Sequence, residues 1–270
     1  YIINTYLNVK FRKKRLSYFL NYDINLYIDM LEEKLAKKTV RDIILVLKSI
    51  LKYAEQKYSV NLKLDLITMP TTHKNELKVF TEKEIKKLEA ECLKSDNIRS
   101  IGIVIAIYTG MRIGEICALK WENIDFAKGI IAVNKTLQRA YVGKKETKII
   151  ISTPKTQKSE RKIPIPSVLY NELKIKSIEY SKQAYVLTGD EEKYVEPRTL
   201  QYLYKKIIES AKIKYRNFHC LRHTFATRCI RVGMDIKSLS ELLGHADVNI
   251  TLNRYVHSSY DSTKKYMEKL

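Results

Sequence analysis

Residues 219–257 read HCLRHTFATRCIRVGMDIKSLSELLGHADVNITLNRYVH, and they hold polar groups that packing alone would not place in an apolar pattern. Within HCLRHTFATRC, His219 and Arg222 stand at i, i+3, so a helix puts both on one face with His223 beside them. Gly244 then breaks the apolar periodicity, His245 follows it directly, and Tyr255 comes ten residues later. His219 and His223 at i, i+4 have the spacing of a zinc pair. The glutamate of H-E-x-x-H is absent, however, and the neighbouring Arg222 opposes a dication. The run from Gly233 to Val256 also scans as a helix-turn-helix with Gly244 at the turn, the pattern of a DNA-binding regulator.

Two further polar clusters lie upstream. TGMRIGEICALKW sets Arg112 just after Gly110, at the exit of the apolar run Ile101–Tyr108, with Glu115 one helical turn on and able to orient the guanidinium. TPKTQKSERKIPIP places Lys155 at a turn between two expected strands. The helix-turn-helix reading leaves Arg112, Lys155, His219 and Arg222 unexplained. Two arginines, a lysine, two histidines and a tyrosine make a site with affinity for phosphate. Arginine holds phosphate oxygens bidentately and stays charged. With no acidic cage for a metal, the remaining route is attack by a side chain.

Outside these clusters the pattern divides in two. Residues 16–58 have apolar positions at three- and four-residue steps (Leu26, Met30, Leu31, Val40, Ile43, Ile44, Leu47, Ile50, Leu51 and Ala54), which predicts an all-helical first domain. Residues 59–78 break the pattern, contain Pro70 and read as a linker, giving expected domains 1–74 and 79–270. Thr81 and Glu84 form a capping box that opens a helix over residues 82–93, with Ile85, Leu88, Cys92 and Leu93 inward. After Trp121 short β-branched runs alternate with turn residues, predicting a small antiparallel sheet; from Leu169 helical patterns return.

Charge narrows the function. The chain has 270 residues, with 50 Lys+Arg against 30 Asp+Glu, a formal net charge of +20 at pH 7. Residues 1–78 contribute +7 of this, so both halves are basic. One concentration is KFRKKR, including Arg12, Lys13, Lys14 and Arg15; residues 135–162 hold nine Lys/Arg against Glu146 and Glu160. Two basic surfaces fit a phosphate backbone, with affinity that falls as salt rises. Hydrophobic residues at 45% with only 8 Gly and 5 Pro exclude a disordered or linker-like polymer. The longest apolar run, Ile101–Tyr108, is far short of the ~20 residues that cross a bilayer, and no signal-peptide pattern opens the chain. Cys92, Cys117, Cys220 and Cys229 lack C-x-x-C spacing and read as reduced, buried thiols of an intracellular protein.

Taken in order, Arg112-x-x-Glu115, Lys155, His219-x-x-Arg222, the L-L-G-H ending at His245, and the T-x-x-x-Y-x-H holding Tyr255 and His257 resemble the tyrosine recombinase, or phage integrase, family over residues 80–257. The style of HTFATRC and GMDIKSLSELLGH is similar to integrases of Gram-positive conjugative transposons and prophages. The resemblance implies a mainly α fold with a small antiparallel sheet: a helical core-binding domain followed by a mixed α/β catalytic domain with a C-terminal tail helix.

It further implies that Tyr255 attacks the scissile phosphate to form a 3′-phosphotyrosine, while Arg112 and Arg222 clamp the non-bridging oxygens together with His245. Lys155 protonates the leaving 5′-oxygen, His219 assists proton transfer or orients the nucleophile, and Glu115 supports Arg112. No cofactor and no metal is implied. Partners are double-stranded DNA at attachment or transposon-end sites and further copies of the chain, as dimer or tetramer; no membrane is involved, and the setting is the cytoplasm and nucleoid of a bacterial host. Expected DNA contacts are Arg12, Lys13, Lys14, Arg15, Lys37, Lys38 and Arg41 in the first domain and Lys144, Lys145 and Lys158 in the second.

Residues 136–148 exceed what a minimal three-stranded sheet needs and suggest an added β-hairpin. The tail 260–270 resembles a helix donated to a neighbouring copy. The first domain resembles its counterpart less completely and begins at Tyr1, as a chain truncated at its N-terminus would. A type IB topoisomerase uses nearly the same site for nicking and closing.

Overall fold

A computed structural model describes residues 1–71, 77–143, 146–153, 160–245 and 247–255 of the chain. It separates into two compact units, Tyr1–Glu76 and Leu77–Leu270. The fold is mainly α with small antiparallel sheets.

In the first unit a wide turn over Ile3–Leu7 leads into α1 (Asn8–Phe11), then α2 (Tyr18–Asn21), α3 (Ile24–Glu32) and α4 (Lys37–Tyr58). Asp23 caps α3 by accepting from the Asn25 amide at 2.8 Å. Ile24, Tyr27, Ile28 and Leu31 line up inward, whereas Leu26 and Met30, expected in the core, fall on the outer side and are exposed. On α4, Val40, Ile43, Ile44, Leu47 and Leu51 form the buried stripe, and Ile50 sits beyond its edge in solvent. The stretch expected as a linker begins inside this unit: Leu62, Leu64 and Ile67 are buried, the Leu62 amide donates to the Glu55 carboxylate at 2.7 Å, and Arg41 donates to the Pro70 carbonyl at 3.2 Å. Interrupted by Asn61, Lys63 and Asp65, the three apolar residues have no helical period.

The second unit opens with α5 (Glu82–Lys94), closed at its start by the expected capping box: the Glu84 amide donates to the Thr81 hydroxyl at 3.2 Å and the Thr81 amide to the Glu84 carboxylate at 2.7 Å. Ile85, Leu88 and Cys92 are buried, but Leu93 is exposed. Helix α6 (Ile101–Thr109) is apolar on every side because it runs through the core, packed by α5, α7 (Ile113–Cys117), α8 (Ser167–Ser177) and α10 (His219–Arg231).

Strands β1 (Ile124–Asp125), β2 (Ile130–Val133) and β5 (Arg161–Pro164) form a three-stranded antiparallel sheet in the order β1-β2-β5. Between β2 and β5 the chain leaves this sheet as a separate hairpin of β3 (Thr136–Gly143) and β4 (Glu146–Ser152), registered from Thr136 opposite Ser152 to Gly143 opposite Glu146. The hairpin root lies tight on α7: a Cβ on Gly114 would stand 2.5 Å from the Leu137 carbonyl oxygen. Helices α9 (Pro197–Ser210), α10, α11 (Ile236–Leu243) and α12 (Val248–Tyr255) complete the unit.

All four cysteines are buried and unpaired. Burial pushes the Cys92 and Cys117 thiols up to about 12, so both stay protonated and unreactive at neutral pH. Among the described residues no helix is long and apolar enough to cross a membrane.

Candidate active site

Arg112 occupies the N-cap of α7 with an extended backbone, and Glu115 is the third residue of that helix. The Glu115 carboxylate reaches back to the Arg112 amide at 2.8 Å and to its Nη1 at 3.0 Å. Its other partner is Arg161 at the start of β5, which donates through Nη1 at 3.0 Å and Nη2 at 2.7 Å in a bidentate fork. Glu115 is only 5% exposed. Burial would raise its pKa, but the Arg161 hydrogen bond and charge, then the Arg112 amide and guanidinium, outweigh burial and hold it below the usual carboxylate value. It is therefore a buried anion between two cations.

Three guanidiniums meet the C-terminal end of α11. Arg161 Nε donates to the Leu242 carbonyl at 2.6 Å, Arg222 Nη2 to the Leu243 carbonyl at 2.6 Å, and Arg112 Nη2 to the Gly244 carbonyl at 3.1 Å. The last carbonyls of a helix lack partners within it and form the negative pole of its dipole, so consecutive ones can hold clustered cations. Gly244 makes this possible. It turns left-handed at φ 64°, so its amide and that of His245 bond back to Glu241 and Ser240 while the terminal carbonyls face the arginines. A Cβ there would also approach Arg161 Nη1 to 3.1 Å. Arg222, on α10, is 2% exposed and also donates to the Gly110 carbonyl at 2.9 Å. Burial and the nearby Arg112 push its guanidinium down to about 9, which leaves it charged at neutral pH.

Above this frame stand the histidines and the tyrosine. His245 Nδ1 lies 2.7 Å from the hydroxyl of the buried Thr251 on α12. His223 Nδ1 lies 2.7 Å from the Tyr255 hydroxyl, and its Nε2 is 3.3 Å from Arg254 Nη2. The His219 ring meets the His223 ring edge-on, with centroids 4.5 Å apart. Burial first, and then surrounding arginines, push His219 and His245 down to about 4. For His223, burial, His219 and the arginines together push the ring to about 3. All three are neutral at pH 7. Burial raises the Tyr255 phenol, opposed by Arg222, Arg254 and Arg112.

The structure thus brings Arg112, Glu115, His219, Arg222, His245 and Tyr255 to one place. Helix α11 and α12, which could be read as a DNA-reading pair, are used here to position arginines and the tyrosine. Lys155, Lys144, Lys145, Lys158 and the tail 260–270 lie outside the described residues. In the first unit Arg12, Lys13, Lys14, Arg15, Lys37 and Lys38 are exposed, with the Lys14 ammonium 4.6 Å from the Tyr18 ring centre, while Arg41 is half-buried against Pro70.

Arg161, Thr251 and Arg254 also take part, and His223, which the sequence paired with His219 only at the spacing of a zinc site, bonds the tyrosine. Arg161 carried a signal, because it shares a strand face with the buried Ile163 two residues on. His223 had one in its four-residue spacing from His219. Thr251 and Arg254 had none. The hydroxyl of Tyr255 meets His223, whereas the expected orienting residue was His219.

Residues 78–262 match the model of the phage integrase family. A tyrosine recombinase XerC-like protein of Caldanaerobacter subterraneus subsp. tengcongensis is 35% identical over 200 residues, 67% of this chain and 51% of that protein. The transposase from transposon Tn916 of Enterococcus faecalis is 31% identical over 228 residues, 77% of this chain and 53% of that protein. The chain therefore spans about half the length of these relatives. In overall fold it is similar to the Tn1549 transposon integrase in complex with a circular intermediate DNA, with a TM-score of 0.75 at 23% identity, covering 97% of this chain and 94% of that one.

Proposed function

The chain belongs to the phage integrase family, and from that premise we propose that it breaks and rejoins duplex DNA at specific sites to insert or excise a mobile element. Tyr255 is the nucleophile. Its oxygen gives up the phenolic proton, in a transfer that His219 assists, and bonds to the scissile phosphorus; the bond to the 5′-bridging oxygen breaks, and a 3′-phosphotyrosine and a free 5′-hydroxyl result. Arg112 and Arg222 hold the non-bridging oxygens as negative charge grows on them, a contribution worth roughly a hundred- to a thousandfold per donor in such sites. His245, neutral and steadied through Thr251, donates to the same group. Lys155 is the acid for the leaving oxygen. Attack by the 5′-hydroxyl of another strand reverses the step and conserves the phosphodiester energy, so the residues named need neither ATP nor metal.

One observation supports this reading above the others: a half-buried tyrosine hydroxyl hydrogen-bonded to His223 in the field of Arg222, Arg254 and Arg112, of which Arg222 and Arg112 are held by backbone carbonyls. The basic surfaces of both units serve duplex binding, the β3–β4 hairpin and the tail 260–270 serve contacts with DNA or another copy, and the chain works in the bacterial cytoplasm as a dimer or tetramer on DNA.

The test is a nicked duplex carrying the element's end sequence, from which the cleaved strand cannot rejoin. Wild-type protein is expected to form a covalent adduct that Tyr255→Phe does not form. An adduct that survives in the Phe variant overturns the choice of nucleophile, and a Tyr255-dependent adduct that closes nicks without exchanging strands would favour topoisomerase action.

A further inference from the structure

Tyr255 Oη is 2.7 Å from His223 Nδ1, and the opposite ring nitrogen, Nε2, is 3.3 Å from Arg254 Nη2. Either nitrogen of an imidazole can be donor or acceptor, but a guanidinium has five N–H donors and no acceptor. The contact with Arg254 therefore requires a lone pair on His223 Nε2. A neutral imidazole with a bare Nε2 carries its proton on Nδ1. That proton points at the tyrosine oxygen, so the oxygen accepts. His223 consequently cannot be the base that removes the phenolic proton, since the nitrogen facing the phenol is already occupied.

We propose that His223, locked by Arg254 as the Nδ1–H tautomer, donates to the Tyr255 oxygen and is a catalytic residue that holds the nucleophile and takes up the negative charge on its oxygen. Arg254 is the positioning residue. This inference rests on the assignment of Tyr255 as nucleophile. It moves no proton between groups: the same N–H bond serves when the oxygen approaches phosphorus and when it departs on rejoining, because both passages put charge on that oxygen. The groups facing His223 agree with a neutral ring. His219 and Arg222 stand on its own helix, His245 at the start of the α11–α12 connection, and Arg254 and Tyr255 on α12, and burial with this positive surrounding pushes the imidazole down to about 3. Arg112 adds its charge to those of Arg222 and Arg254 at Tyr255.

The arrangement is tested first without DNA. The whole chain has 5 histidines, so ¹⁵N labelling of their rings gives a spectrum that can be assigned by substitution. In the wild type His223 should show a protonated Nδ1 and a bare Nε2. Arg254→Gln, on an exposed side chain, should give mixed tautomers, because an amide can also accept. A wild-type Nε2–H tautomer overturns the proposal, and an unchanged tautomer in Arg254→Gln overturns the role of Arg254.

The second arm follows adduct formation on the nicked duplex against pH. His223→Phe should slow it roughly ten- to a hundredfold and move the alkaline rise of the rate to higher pH, since a phenolate without its donor forms less readily. His223→Asn, whose amide nitrogen stands near the place of Nδ1, should recover most of the rate and the original profile. Equal loss in the Phe and Asn variants, with an unshifted profile, overturns the donor role. Failure of the underlying site reading is distinct: it appears as a wild-type adduct that persists in Tyr255→Phe.

Discussion

The arginines and the tyrosine of one site are held in opposite ways. Arg112, Arg161 and Arg222 are bonded to the consecutive carbonyls of Leu242, Leu243 and Gly244 and, through Arg112 and Arg161, to the buried Glu115. Their positions are thus tied to backbone. Tyr255 ends an eight-residue helix whose Val248, Ile250 and Leu252 are exposed, and its site contacts run through side chains: Tyr255 and Arg254 to His223, Thr251 to His245. Under the proposed function, a cationic frame tied to backbone would hold the phosphate in one geometry while side-chain contacts place the tyrosine.

The largest effect should come from removing the anion of the frame. Glu115→Ala removes the buried carboxylate that both Arg161 and Arg112 bond, and urea unfolding is expected to show a loss of about 3–5 kcal/mol. A loss under about 1 kcal/mol would break the comparison, since the frame would then not depend on its ion pairs. Arg222→Lys keeps the charge but cannot span the Gly110 and Leu243 carbonyls as a planar fork does. Adduct formation on the nicked duplex is expected to drop roughly a hundred- to a thousandfold, against the smaller loss expected for His223→Phe.

Acid should weaken both sides together. In the unfolded chain a histidine takes a proton near pH 6.5, whereas folded His219, His223 and His245 resist until about 4, 3 and 4. Their contribution to stability is complete above about pH 6.5 and is lost as pH falls toward 3. Glu115, lowered in the folded state, contributes with the same sign at the acid end. Urea midpoints should therefore fall steadily from pH 7 through 5.5 to 4.5, and a midpoint that held or rose over this range would contradict histidines kept neutral by the fold. The smallest change is expected at Thr251→Val, which removes the hydroxyl at His245: about 1 kcal/mol of stability, with no change in the arginine frame by crystallography.

Much of this could be read in advance where a residue's role follows from its neighbours in the chain. Thr81 and Glu84 are three apart, and a capping box needs nothing else. Arg112 and Glu115 share the same local logic, and Gly244 after an apolar helix signals the left-handed turn that ends it. The phase of α3 was harder. Leu26 and Met30 look like core in a helical pattern, but the buried stripe of α3 is Ile24, Tyr27, Ile28 and Leu31, and these two lie on the opposite side. Leu62, Leu64 and Ile67 have no helical spacing, yet they complete the first core.

By itself the sequence marked part of the site, Arg112, Glu115, His219, Arg222, His245 and Tyr255, in an order that resembles one family, on a chain basic in both halves. Only the tertiary structure decided who holds whom. Arg161 joins Glu115 across 46 positions and Arg112 reaches Gly244 across 132. Hydrogen bonds are directional and short, so such partnerships depend on how α7, α10, α11, α12 and β5 pack. The tautomer of His223 is of the same kind: the sequence contains an ambiguous imidazole, and the placement of a donor-only guanidinium on its far side removes the ambiguity.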